Sequence, residues 1–105
     1  MGQIEAALVC YQKSALLLER SPESDNVTHR AYSRTWIGEL LAGREELRSA
    51  YAFLQSAVRL WQQVGPPKTL AVSGLMKDIE LRAGSPLRIK DREAEKSCLD
   101  WILGR

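Results

Sequence analysis

The chain has 105 residues, of which 45% are apolar and 27% charged, and its formal net charge is +2. That length supports one domain, residues 1–105, with one modest core, and the apolar share excludes a disordered composition. The small charge does not by itself imply nucleic acid, and no apolar run approaches the roughly 18 residues of a membrane span.

Taken in order, the first predicted helix covers residues 3–19, with Ile4, Leu8, Tyr11, Ala15 and Leu18 on one face. Val9, Leu16 and Leu17 widen the apolar arc, so this helix expects contact on more than one side. Glu5, Gln12 and Lys13 interrupt the stretch, which therefore lacks the pattern of a secretory leader. Ser21-Pro22 ends it, and residues 20–28 read as a polar loop in which Asp25, Asn26 or Thr28 caps the next helix.

The central segment carries the strongest signal. Trp36, Leu40, Gly43, Leu47, Ala50, Leu54, Ala57, Trp61 and Val64 follow alternating four- and three-residue steps. Read without interruption, they lie on one face of a single helix over about 29–64, about 54 Å long at the α-helical rise. Gly43 is the weak point, since glycine in a helix interior costs about 1 kcal/mol relative to alanine. The alternative is a break there, with the acidic pair Glu45-Glu46 in the first turn of a new helix. Bulky Leu40, Leu47, Leu54 and Trp61 alternate with small Gly43, Ala50 and Ala57, a face suited to close helix contact. A helix of that length outruns its neighbours, and the surplus points to a homodimer built on Trp36, Leu40, Gly43, Leu47, Ala50, Leu54, Ala57 and Trp61.

Gly65-Pro66-Pro67 is expected to stop the central helix, and Thr69 or Ser73 to open a short helix ending at Ala83. Gly84-Ser85-Pro86 is a second breaker, and residues 87–90 read as an extended connector. Asp91 then opens a last helix to Leu103 with Ala94, Cys98, Trp101 and Ile102 inward. The predicted fold is all-α, four or five helices organised around the long central one.

Residues that carry chemistry are sparse. The single histidine, His29, is far in sequence from Cys10 and Cys98, and no CxxC, HExxH or calcium-loop spacing occurs, so no metal is expected. Both cysteines sit among apolar helical neighbours and read as reduced and half-buried. No GxSxG or phosphate-cradling glycine cluster is present, and Glu45 and Glu46 point about 100° apart on a helix, so neither catalysis nor a cofactor is expected. Arg30, Arg34, Arg44, Arg48 and Arg59 form one basic group and Arg88, Lys90, Arg92 and Lys96 another. Both are broken by acidic residues, which leaves nucleic-acid binding as the alternative function. The leading expectation is a small cytoplasmic, non-enzymatic protein of bacterial composition that dimerises and binds another protein. Arg34, Ile37, Leu41, Arg44, Arg48 and Tyr51 form its partner-binding set. Sequestering or inhibiting a regulator such as a transcription factor is the concrete form, with a chaperone or adaptor role as a further alternative.

Overall fold

A computed structural model describes residues 2–20 and 26–104. They form five helices: α1 (Gly2–Arg20), α2 (Val27–Gly43), α3 (Leu47–Trp61), α4 (Pro66–Ala83) and α5 (Asp91–Leu103). The fold is a compact all-α domain. Among the described residues no helix is long and apolar enough to cross a membrane.

The long central helix does not form. It divides into α2 and α3 at a three-residue turn just after Gly43. The Glu46 amide bonds the Leu41 carbonyl at 3.0 Å, the Glu45 amide bonds the Ala42 carbonyl at 3.0 Å, and Glu45 takes a left-handed φ of 63°. This is the Schellman arrangement, which satisfies the last carbonyls of α2. The residue in the left-handed position is Glu45 and not the glycine two places earlier. Arg82 of α4 covers the same helix end, donating to the Ala42 carbonyl at 2.9 Å and to Glu45 at 2.7 Å.

The turn also resets the helical phase, which the unbroken four-three count concealed. On α2 the buried face runs through Ala31, Arg34, Gly38 and Leu41. On α3 it runs through Ala50, Phe53, Leu54, Ala57, Leu60 and Trp61. The α3 half of the stripe is therefore core, and the α2 half is displaced from it.

Packing centres on α3, which contacts α2, α4 and α5, while α1 lies on α2 and also touches α5. Trp61, Phe53, Ile37, Leu41, Leu54 and Ile102 are almost wholly buried. The close approach of α2 to α3 depends on Gly38, where a β-carbon would meet Leu54 Cδ2 at 2.8 Å, Leu54 Cγ at 2.9 Å and the Ala50 carbonyl at 3.2 Å. Phe53 and Trp101 pack edge to face, with centroids 5.4 Å apart. Gln12 ties α1 to α5 by donating to the Trp101 carbonyl at 3.1 Å, and Gln55 holds the connector by donating to the Ile89 carbonyl at 2.7 Å.

Smaller expectations fare unevenly. Pro66 and Pro67 do not merely stop a helix; they are the first residues of α4, where a missing amide is not needed. Asn26 precedes α2 without capping it through its side chain, and donates instead to the Leu18 carbonyl at 3.1 Å. The capping role assigned to Asp25 lies outside the described residues. Leu87 and Ile89 are half-buried and alternate with exposed Arg88 and Lys90, as an extended connector requires.

Candidate functional site

Polar and aromatic side chains gather at two places around α2, and the two are opposite in character.

The first is an ionic seam inside the bundle. Arg34 is only 2% exposed. Its Nη2 donates to Glu19 Oε1 of α1 at 2.6 Å, and its Nη1 donates to Glu95 Oε1 of α5 at 2.5 Å and to the Ser56 hydroxyl of α3. Ser56 in turn donates to Glu95 at 2.6 Å, and Arg30 adds a 3.3 Å pair to Glu19. Burial alone would lower the Arg34 pKa, but the bonds and charges of Glu95 and Glu19 outweigh it and raise it, so the guanidinium stays charged. Burial likewise works to raise Glu95, yet the bonds from Arg34 and Ser56 hold it below the ordinary carboxylate value. Beside the seam, burial pushes the Cys98 thiol up to about 12, so it stays protonated and packs as an inert apolar group, with Sγ 3.5 Å from the Ala52 carbonyl. One charged side chain thus links four helices, and its polar neighbours are engaged. That is an architecture for holding helices.

The second place is an open groove between α1 and α2. Tyr11, Ser14 and Leu18 line it from α1; His29, Tyr32, Ser33 and Trp36 line it from α2; its volume is about 380 Å³. Tyr32 is 42% exposed and Trp36 48%. Tyr32 is held edge-on to buried Trp61 at 4.8 Å, and Lys68 of α4 sits 5.1 Å above its ring. Trp61 is fixed in turn by donating to Thr35 at 3.0 Å. Ser33, one residue from Arg34, is 6% exposed, yet its hydroxyl has no hydrogen-bond partner among the described residues.

The residues singled out from sequence scatter across these places. Of the stripe assigned to a dimer interface, Ala50, Leu54, Ala57 and Trp61 are enclosed within the chain, Leu40 and Leu47 are half-buried, and Trp36 and Gly43 are at the surface. Of the partner-binding set, Arg34, Ile37 and Leu41 are core residues, because α2 turns that face towards α3 and α5. Tyr51 is half-buried against α4, where burial and then Glu80, which accepts its hydrogen bond, raise its pKa. Arg44 is exposed and pairs with Glu46 at 3.1 Å, and Arg48 is exposed. These six residues do not form one surface. Within the basic groups, Arg30 and Arg34 are bound to carboxylates, and Lys96 pairs with Asp100 at 2.8 Å. Cys10 is exposed, contrary to the half-buried reading. Among the described residues, no group of three or more His, Cys, Asp or Glu is placed to hold a metal ion.

Sequence reasoning missed the seam and the groove. A signal for the seam was present: Arg34 falls in helical register with Ala31, Gly38 and Leu41, and a charge on an apolar face announces a buried partner. The groove had a weaker one, the four-three spacing of His29, Ser33, Trp36 and Leu40.

Compared with protein-family models, with curated proteins and with solved structures, the chain matches none.

Proposed function

We propose that this chain is a non-enzymatic regulatory protein of the cytoplasm that works by binding another protein, with the α1–α2 groove as its receptor surface. The observation that carries the reading is the pair Tyr32 and Trp36. They are neighbouring large aromatics on one helix, each about half exposed, and both line an open groove. Aromatic side chains are the commonest anchors of protein interfaces, and contiguous apolar surface on a soluble domain marks a contact site. Tyr32 is backed by Trp61, so it presents a preorganised surface and loses little entropy on contact.

The concrete form is sequestration or inhibition of a regulator such as a transcription factor, through an apolar helix face laid along α1 and α2. A homodimer belongs to this reading only through the surface members of the stripe, Trp36 and Gly43 with half-buried Leu40 and Leu47, since its α3 members are enclosed. The test is affinity capture from the native cell with wild type and the Trp36→Ala variant. The expected result is a specific protein recovered by the wild type and lost with the variant while helicity is unchanged. Equal recovery by both proteins refutes the groove as the receptor. Sedimentation at micromolar concentration reads the self-association separately.

A further inference from the structure

We infer that the α1–α2 groove also binds a small, planar aromatic molecule carrying one hydroxyl group, a phenol. This goes beyond protein binding and rests on a different observation, the unpartnered hydroxyl of Ser33.

A buried hydroxyl without a partner forfeits about 1–3 kcal/mol relative to its hydrated state, and such groups are few in native proteins. Ser33 is one of the residues that line the groove. Its hydroxyl can both donate to and accept from a ligand hydroxyl. The walls suit a flat body: Tyr11 lines the groove from α1 and Tyr32 and Trp36 line it from α2, and aromatic rings pair edge to face or offset. A volume of about 380 Å³ lies at the lower end of small-molecule sites. Lys68 stands 5.1 Å from the Tyr32 ring, so an ammonium entering the groove would meet a like charge.

The larger cavity at the C-terminal end of α4, about 510 Å³, supports no such case. Lys77, Glu80 and Leu81 line it beside the Gly84–Pro86 turn, without an aromatic ring or an unpartnered buried hydroxyl. The surface left by Leu70 and Leu81 on the outer side of α4 has nothing beside it that selects an occupant.

The experiment titrates p-cresol, and in parallel toluene, into isotopically labelled protein while amide chemical shifts are followed. The expected result is saturable p-cresol binding, with shifts concentrated around Tyr11, Ser33 and Trp36 and an affinity roughly tenfold above that for toluene, the worth of one hydrogen bond. Ser33→Ala should erase that preference and leave toluene binding as it was. Trp36→Ala should weaken both ligands, and the spectra themselves report whether each variant is folded. A phenol reaches the groove either as a free molecule or as the tyrosine of a partner. A helical peptide bearing one tyrosine separates the sources: no gain over p-cresol supports the free molecule, and a large gain overturns it in favour of a partner's side chain. Non-saturable or dispersed shifts, equal affinity for p-cresol and toluene, or an unchanged preference in Ser33→Ala overturns the inference. Because no protein partner is present, those outcomes leave the protein-binding proposal standing or falling on its own test.

Discussion

Arg34 and Ser33 are consecutive residues of α2, about 100° apart around the helix, and they meet opposite fates. Arg34 enters the bundle and finds Glu19, Ser56 and Glu95 from three other helices. Ser33 lines a groove and finds no partner among the described residues. The first residue is more costly to bury than the second, and it is the one the fold satisfies. A saturated polar group reports what holds the structure together, while an unsaturated one in a cavity reports where the structure remains open to something else. The same division extends along the helix: Gly38, one turn beyond Arg34, is pressed against Leu54, whereas Gly43, two turns beyond Trp36, is exposed.

The largest effect belongs to the saturated side. Arg34→Ala should cost about 3–5 kcal/mol, because it leaves Glu19 and Glu95 facing each other's charge in a partly buried seam without their cation. Urea denaturation would register this as a drop in the midpoint. A loss below about 1 kcal/mol would mean that the seam forms but does not hold the helices. The second effect is steric. Gly38→Ala should cost about 1–3 kcal/mol, since its β-carbon arrives 2.8 Å from Leu54 and 3.2 Å from the Ala50 carbonyl. At Gly43 the same change meets only Ile4 Cδ1, at 3.5 Å, and should be neutral or stabilise by up to about 1 kcal/mol. Equal effects at the two glycines would contradict the division of α2 into an interior and an open face.

These contrasts show what was legible in the sequence. Apolar periodicity and breakers located α1 and α5 well: Leu8 and Ala15, or Cys98 and Ile102, face inward as their spacing requires. The break after Gly43 was not resolved, because the stripe runs through the turn by coincidence of count. The signal that ends α2 is a pattern of backbone bonds around Glu45, a residue with no strong turn preference. Phase errors then carried into function. Placing Trp36, Leu40 and Gly43 on one face with Ala50 and Leu54 made core residues of α3 look like an interface, and made Arg34, Ile37 and Leu41 look like a surface. The partners of Arg34 lie 15, 22 and 61 residues away, distances at which side-chain pairing leaves no local trace.

Acid should weaken the seam in a defined direction. The Glu95 pKa is held below its ordinary 4.5 because the bonds from Arg34 and Ser56 outweigh burial. A carboxylate with a lowered folded-state pKa stabilises fully above its unfolded value and loses that contribution as pH falls through the folded one. Stability from this pair is therefore intact above about pH 4.5 and declines below it. Glu95→Gln should start lower at neutral pH and fall less steeply in acid when urea midpoints are compared across that range. Parallel curves would show that Glu95 does not couple the seam to protonation.

The smallest changes in stability fall on the open side, where they are the most discriminating. Ser33→Ala removes a buried hydroxyl that has no partner and places a better helix former in α2, so it should stabilise the protein by about 1 kcal/mol. A buried serine bonded within the fold would give the opposite sign, because its removal would strand a partner. Trp36→Ala should change stability by less than about 1 kcal/mol, as the ring is half exposed and the core lies on other faces of α2. The two substitutions should therefore leave the fold intact or firmer while the groove loses its hydroxyl or its wall. If thermal denaturation shows Ser33→Ala to be destabilising, the hydroxyl is part of the structure that holds α1 to α2, and the contrast with Arg34 becomes one of degree. If it is stabilising, the wild-type chain carries a polar group whose cost the fold itself does not recover, which is the condition expected at a site that gains its partner from outside.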